Sequence, residues 1–224
     1  MKVHVLVEGK SEKAFLEAWT PRAFKGHRFQ AHPHQGKGAL PSDTAALPAP
    51  KRRGLLDLLP ATLRGYANAA ASSNDAVLVL VDADDDDCGA LKQGLVALAM
   101  TLEPRLNVIF RIAVEETEAF YLGDLCALKR AFPNADMDKA RAYVPDSIVK
   151  TAELFGSIVG DGGLNKVWWA DEMGPRLTTR PSGSRSPSFR ALHAGIRSLV
   201  TSPGAPPKPR RKFRHVPRTA RRAR

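Results

Sequence analysis

Ala76-Val77-Leu78-Val79-Leu80-Val81 runs without a break into Asp82-Ala83-Asp84-Asp85-Asp86-Asp87. An uninterrupted apolar hexapeptide rich in valine predicts a strand buried on both faces, as in a parallel sheet covered by helices. The abrupt change to aspartate predicts that this strand ends at a polar edge. Residues 2–7 read the same way: Val3, Val5 and Val7 are β-branched, Leu6 fills the other face, and the run stops at Glu8-Gly9-Lys10-Ser11. Residues 107–114 predict another strand, after which Glu115-Glu116-Thr117-Glu118 begins a helix.

Between these strands the apolar spacing changes to three and four, the period of one helix face. Ser11 reads as the N-cap of a helix over 12–20, with Phe15, Leu16 and Trp19 inward and Pro21 as its stop. A second helix covers 55–71 (Leu56, Leu59, Leu63, Tyr66, Ala70), bent or restarted at Pro60. A third covers 88–102 (Leu91, Leu95, Leu98, Leu102). The Gly- and Pro-rich stretch 21–54 predicts one short strand near 28–32 and then an irregular connection. Past residue 124 the pattern predicts short helices at 124–131, 146–155 and 188–200.

Strands alternating with helices imply right-handed crossovers and an α/β domain with a mostly parallel sheet. The expected organisation is a core at 1–125 carrying the basic insertion 21–54, a helical extension at 126–202 packed on it, and a disordered, Pro- and Arg-rich tail at 203–224.

Composition narrows the class. The 224 residues are 43% hydrophobic and 25% charged, as in one globular domain of ordinary size. No apolar run spans a bilayer, so no membrane is expected. No extended apolar core follows Met1, so no secretory signal is expected. Two cysteines make neither a disulfide scaffold nor a zinc site. A cytoplasmic protein is the expectation.

The net charge of +11 is unevenly spread. Residues 203–224 hold nine Lys/Arg and no acid, and residues 21–54 hold seven against Asp43 alone. With +9 and +6 assigned to these segments, the net of +11 leaves −4 for the remainder. Basic segments on an acidic body point to a polyanionic partner; a merely solubilising tail explains the charge equally well.

Three acidic groups stand at strand ends: Glu8; Asp82 with Asp84; and Glu116 with Glu118. In an open parallel sheet those ends converge on the ligand-binding edge. Carboxylates gathered there raise one another's pKa, and a divalent cation such as Mg²⁺ (or Mn²⁺) relieves the conflict. Each group has a plainer explanation. Glu8 alone could face solvent, and acids at 85–87 and 115–118 suit helix N-termini. The aspartate run is no EF-hand loop, having Asp87 at position six and Gln93 at position twelve. Gly36-Lys37-Gly38 is no phosphate-binding P-loop, and no Gly-x-Gly-x-x-Gly follows the first strand.

Glu8-Gly9-x-Ser11-Glu12 at the end of one strand and Asp82-x-Asp84 at the end of another resemble the Toprim fold of primases, topoisomerases and OLD-family nucleases. More closely, the chain looks like small stand-alone Toprim proteins of unknown function, encoded in bacteria beside ABC/AAA-type ATPases in defence-like loci. The matching stretches are residues 7–12, 36–40, 80–88 and 113–124, with Ser186-Pro187-Ser188-Phe189 also fitting. Phe120 stands where Trp is expected in relatives. The resemblance implies a Toprim-like, Rossmann-like core and a Mg²⁺- or Mn²⁺-dependent nuclease. Glu8 would be the acid/base or metal residue and Asp82 and Asp84 would bind metal. Glu12, Glu116 and Glu118 would complete one or two cation sites. A partner ATPase is implied by the same company.

Phosphodiester hydrolysis also needs positive charge at the scissile phosphate, for which Lys10, Lys37 and Lys166 are the candidates. Lys10, Lys37, Lys51, Arg52, Arg53, Arg210, Arg211, Lys212 and Arg214 are candidates to hold the backbone of a nucleic acid, DNA or RNA, without reading bases. Two rival readings accompany this one. The first is a non-catalytic Toprim module that binds nucleic acid or a partner ATPase. The second is a phosphatase or phosphotransferase on a small phosphate ester.

Overall fold

Four strands form one all-parallel sheet: β1 (Lys2–Val7), β2 (Arg28–Pro33), β3 (Ala76–Asp82) and β4 (Val108–Ala113), in the order β2-β1-β3-β4. The computed structural model describes residues 1–201 except 47, 49, 71–74, 85, 115, 148 and 149. The tail expected at 203–224 lies outside the described residues.

α1 (Lys10–Ala23) connects β1 to β2. α2 (Leu55–Ala70) carries the chain back past β1 to β3, and α3 (Cys88–Met100) leads on to β4. The winding therefore reverses between β1 and β3. Their carboxyl ends flank the crevice where ligands bind in sheets of this kind.

Alternation along the strands sorts the core into two layers. Val3, Val5 and Val7 of β1 and Ala76, Leu78 and Leu80 of β3 face the α1 side. Leu6, Val77, Val79 and Val81 face α2 and α3, where Leu55, Leu59, Leu63, Leu95 and Leu98 meet them. Every residue of β3 is buried, as its apolar run demands.

Beyond β4 come α4 (Glu118–Gly123), α5 (Leu125–Ala131), α6 (Met137–Ala142), α7 (Thr151–Val159), α8 (Lys166–Met173), a 3-10 turn at Pro181–Gly183, and α9 (Pro187–Thr201). Phe120, Tyr121, Phe155, Trp169 and Phe189 of these helices share one cluster with Phe15 and Trp19 of α1. α9 also lies along β4, where Arg111 Nε donates to Ala191 O at 2.9 Å.

Several boundaries differ from the sequence expectation. α1 begins at an extended Gly9 N-cap rather than at Ser11, whose hydroxyl bonds Glu12 instead. Pro21 does not stop α1. It sits in the last turn, which closes through Phe24 N–H to Thr20 O at 2.8 Å. α2 is one helix through Pro60, with no restart there. The helix expected at 146–155 starts only at Thr151, because Asp146 is drawn to the start of α9. α6 and α8 were not anticipated. Each is short and capped by a polar side chain, Asp136 and Asn165 respectively, rather than marked by a long apolar period. Among the described residues no helix is long and apolar enough to cross a membrane.

Candidate functional site

The strand ends place four carboxylates together. Glu8 follows β1 directly, and its Oε1 accepts the backbone N–H of Asp82 at 2.8 Å. The absence of a side chain at Gly9 matters here, since a Cβ would stand 3.1 Å from Glu12 Oε2. Glu12, in the first turn of α1, is buried; its Oε1 accepts from Ser11 Oγ at 2.8 Å and Thr117 Oγ1 at 3.4 Å. Asp82 is 9% exposed and its Oδ1 has no hydrogen-bond partner. Glu118, in the first turn of α4, is 1% exposed and neither of its carboxylate oxygens has one.

Burial is the main force on these groups. It pushes Glu8 up to about 7, reinforced by the charges of Asp84 and Glu12 and opposed by the Asp82 amide and Lys37. It raises Asp82 well above the usual carboxylate range, with Glu12, Glu8 and Glu118 adding to the effect. Glu118 also rises to about 7 through burial, helped by Glu116 and Glu12 and opposed by Lys166. The four carboxyls thus act on one another electrostatically.

Sequence reasoning missed Tyr121. Its hydroxyl is buried and unpartnered, three residues beyond Glu118 on the same face of α4. Burial and the charges of Glu118, Glu12 and Asp82 hold it well above the usual tyrosine range. The Glu118-x-x-Tyr121 spacing was the available signal.

Two lysines bound the cluster. Lys166, at the start of α8, places Nζ 2.8 Å from Glu116 Oε1 and 3.8 Å from Glu118 Oε2. Burial works to lower its pKa, but Glu118 and Glu116 outweigh it and hold the ammonium above the usual lysine range. Glu116 Oε2 accepts the Ala152 N–H at 2.8 Å, so Glu116 also caps α7. Lys37 lies on the other side. Its Nζ donates to Ala83 O at 2.7 Å and pairs with Asp84 Oδ2 at 3.2 Å and Asp86 Oδ2 at 2.8 Å. The segment carrying Lys37 is pinned by Gly36 N–H to Glu8 O and Leu56 N–H to Lys37 O. It is also pinned by the close approach of Gly38 (φ +66°) to Gly54.

The aspartate run therefore divides. Asp82 points into the cluster. Asp84 has φ +50° and a side chain 52% exposed, and it turns to Lys37 instead of joining the buried carboxyls. Asp86 also pairs with Lys37, and Asp87 caps α3 through Ala90 N–H. Asp85 is outside the described residues. Lys10, Lys51, Arg52 and Arg53 are exposed, and Arg52 lies 3.7 Å from Asp57. Arg210, Arg211, Lys212 and Arg214 lie outside the described residues. Ser186 and Ser188 do not enter the cluster. Both hydroxyls and the Ser188 N–H donate to Asp146, fastening the start of α9.

Among the described residues no three His, Cys, Asp or Glu side chains are set to hold a metal ion as they stand. Glu8 is turned to the Asp82 amide and Glu12 to two hydroxyls. The donor set nonetheless fits a hard cation. It is all oxygen, and buried carboxylate oxygens left unpaired are what such an ion satisfies. A family model described as a domain of unknown function (DUF4276) matches residues 7–197. No curated protein and no solved structure matches the chain.

Proposed function

The chain belongs to the DUF4276 family, and we propose that it is a metal-dependent nuclease with a Toprim-like core, hydrolysing phosphodiester bonds in DNA or RNA. The observation carrying this reading is the buried Oδ1 of Asp82, left without a partner beside Glu8 and Glu12, at the crevice where the sheet winding reverses. Glu8, Glu12 and Asp82 would hold Mg²⁺ or Mn²⁺, with Glu116 and Glu118 adjoining. When bound, the cation supplies Lewis acidity and neutralises charge on the phosphate.

The chain's own groups supply the rest. In the metal-free chain Glu8 has a pKa of about 7, and a cation held there would take the place of its proton. The Asp82 amide fixes the orientation of Glu8. Lys37, beside Asp84 and Asp86, and Lys166, beside Glu116 and Glu118, are the two ammonium groups that would offset developing negative charge. Asp84, also expected to bind metal, pairs with Lys37 through Oδ2 in the metal-free chain. Exposed Lys10, Lys51, Arg52 and Arg53 suit contact with a phosphate backbone. The proposed location is the cytoplasm, where thiols such as Cys88 and Cys126 stay reduced. A partner ATPase of the ABC/AAA type rests on the Toprim resemblance alone.

The rival reading is a non-catalytic module that binds nucleic acid or that ATPase. It draws on the lack, among the described residues, of a ready-made three-ligand set. Plasmid and RNA cleavage in Mg²⁺ or Mn²⁺, compared between the native chain and Asp82→Asn, separates the two. Cleavage is expected to fall at least a hundredfold in the variant. Binding without turnover under either metal would favour the module instead.

A further inference from the structure

We propose that Lys166 is a built-in cation in the place of a second metal, so that the chain takes one divalent ion, at Glu8, Glu12 and Asp82. This rests on the metal-site reading above and goes beyond it by fixing how many ions the site accepts.

The argument begins from how the positive charge is distributed. Lys37 directs its ammonium to Asp84, Asp86 and Ala83 O, outside the buried cluster. Lys166 directs its ammonium to Glu116 and Glu118. Among the described residues no salt bridge reaches Glu8, Glu12 or Asp82. The constellation thus has one half whose carboxylates pair directly with an ammonium and one half that Lys37 and Lys166 reach only at longer range. Asp82, whose Oδ1 is buried and unpaired, belongs to the second half.

A second divalent ion would have to be held by Glu116 and Glu118, the remaining carboxylates. Both oxygens of Glu116 are already engaged, Oε1 by Lys166 and Oε2 as the cap of α7. Any ion beside Glu118 would lie within a few ångströms of the Lys166 ammonium and be repelled by it. Lys166 is also well fixed. It begins α8, which is capped by Asn165 and anchored by the buried Trp169.

Mn²⁺ titration of the EDTA-stripped full-length chain, with free ion read by electron paramagnetic resonance, tests this without recourse to activity. The native chain is expected to bind one Mn²⁺, Asp82→Asn to weaken that binding at least tenfold, and Lys166→Met to acquire a second ion. Lys166→Gln, which keeps a polar group, serves the same purpose should the Met variant fold poorly. Two ions in the native chain, or still one in a folded Lys166 variant, would overturn the inference while leaving the nuclease reading intact. No Mn²⁺ bound to the native chain would overturn both.

Discussion

The Oε1 of Glu8 accepts the backbone N–H of Asp82 at 2.8 Å, across 74 residues of sequence. This bond ties the carboxyl end of β1 to that of β3, the two strands between which the winding of the sheet reverses. It orients one carboxyl with the amide of the residue that carries the next. The first acid of the cluster is thereby placed by backbone, which a substitution at Asp82 leaves in position.

In the metal-free chain, Glu118 should make stability fall as pH rises. Burial lifts its pKa from the ordinary 4.5 to about 7, so the folded chain keeps a proton that the unfolded chain loses across that interval. Its contribution is complete below pH 4.5 and lost as pH climbs through about 7; Glu8 acts in the same sense. Glu118→Gln is expected to stabilise the chain by about 2 kcal/mol at pH 8 and by nothing measurable at pH 4. Urea denaturation in EDTA reads the difference, and an equal gain at both pH values would refute it.

Asp146 should matter far more than its place in a loop suggests. Its carboxylate receives Ser188 N–H and Ser188 Oγ, each at 2.7 Å, and Ser186 Oγ at 3.2 Å. Asp146→Ala strands all three donors at the start of α9 and is expected to cost about 2–3 kcal/mol. Asp138→Ala, which removes an exposed pair with Arg141, should cost no more than about 0.5 kcal/mol. Similar melting temperatures for the two variants would contradict this account.

Two glycine substitutions should act in opposite directions. Gly38 has φ +66°, and a Cβ there would overlap the Asp57 carboxylate and press on Gly54. Gly38→Ala is expected to destabilise by about 2 kcal/mol or more and to loosen the hold of Lys37 on Asp84. Gly65 lies inside α2 with nothing near its missing Cβ, so Gly65→Ala should stabilise by about 0.5–1 kcal/mol. Thermal melts of both variants check the contrast.

The strands were legible because their signal is local. A continuous apolar run such as Ala76–Val81 has few other stable fates, and β3 extends it by one residue, Asp82. Short polar-capped helices carry no such signal, so α6 and α8 passed unnoticed. Asp146 reads as a helix start until its partners, 40 and 42 residues away, are known. Pro21 looked like a stop, yet it lies inside α1.

What the amino-acid order determined by itself was the parallel α/β sheet and the arrival of Glu8 and Asp82 at strand ends, since strand direction and side-chain alternation follow from neighbours in sequence. The tertiary structure alone decided which acids turn inward. Asp82 and Glu118 are buried, whereas Asp84, two residues from Asp82, faces solvent and Lys37. It also brought Lys166 to Glu116 across 50 residues and set the Tyr121 hydroxyl among the carboxyls. The reason is physical. Burial and charge pairing, which set each group's protonation, depend on what packs against it from distant elements, and no local pattern of residues encodes that.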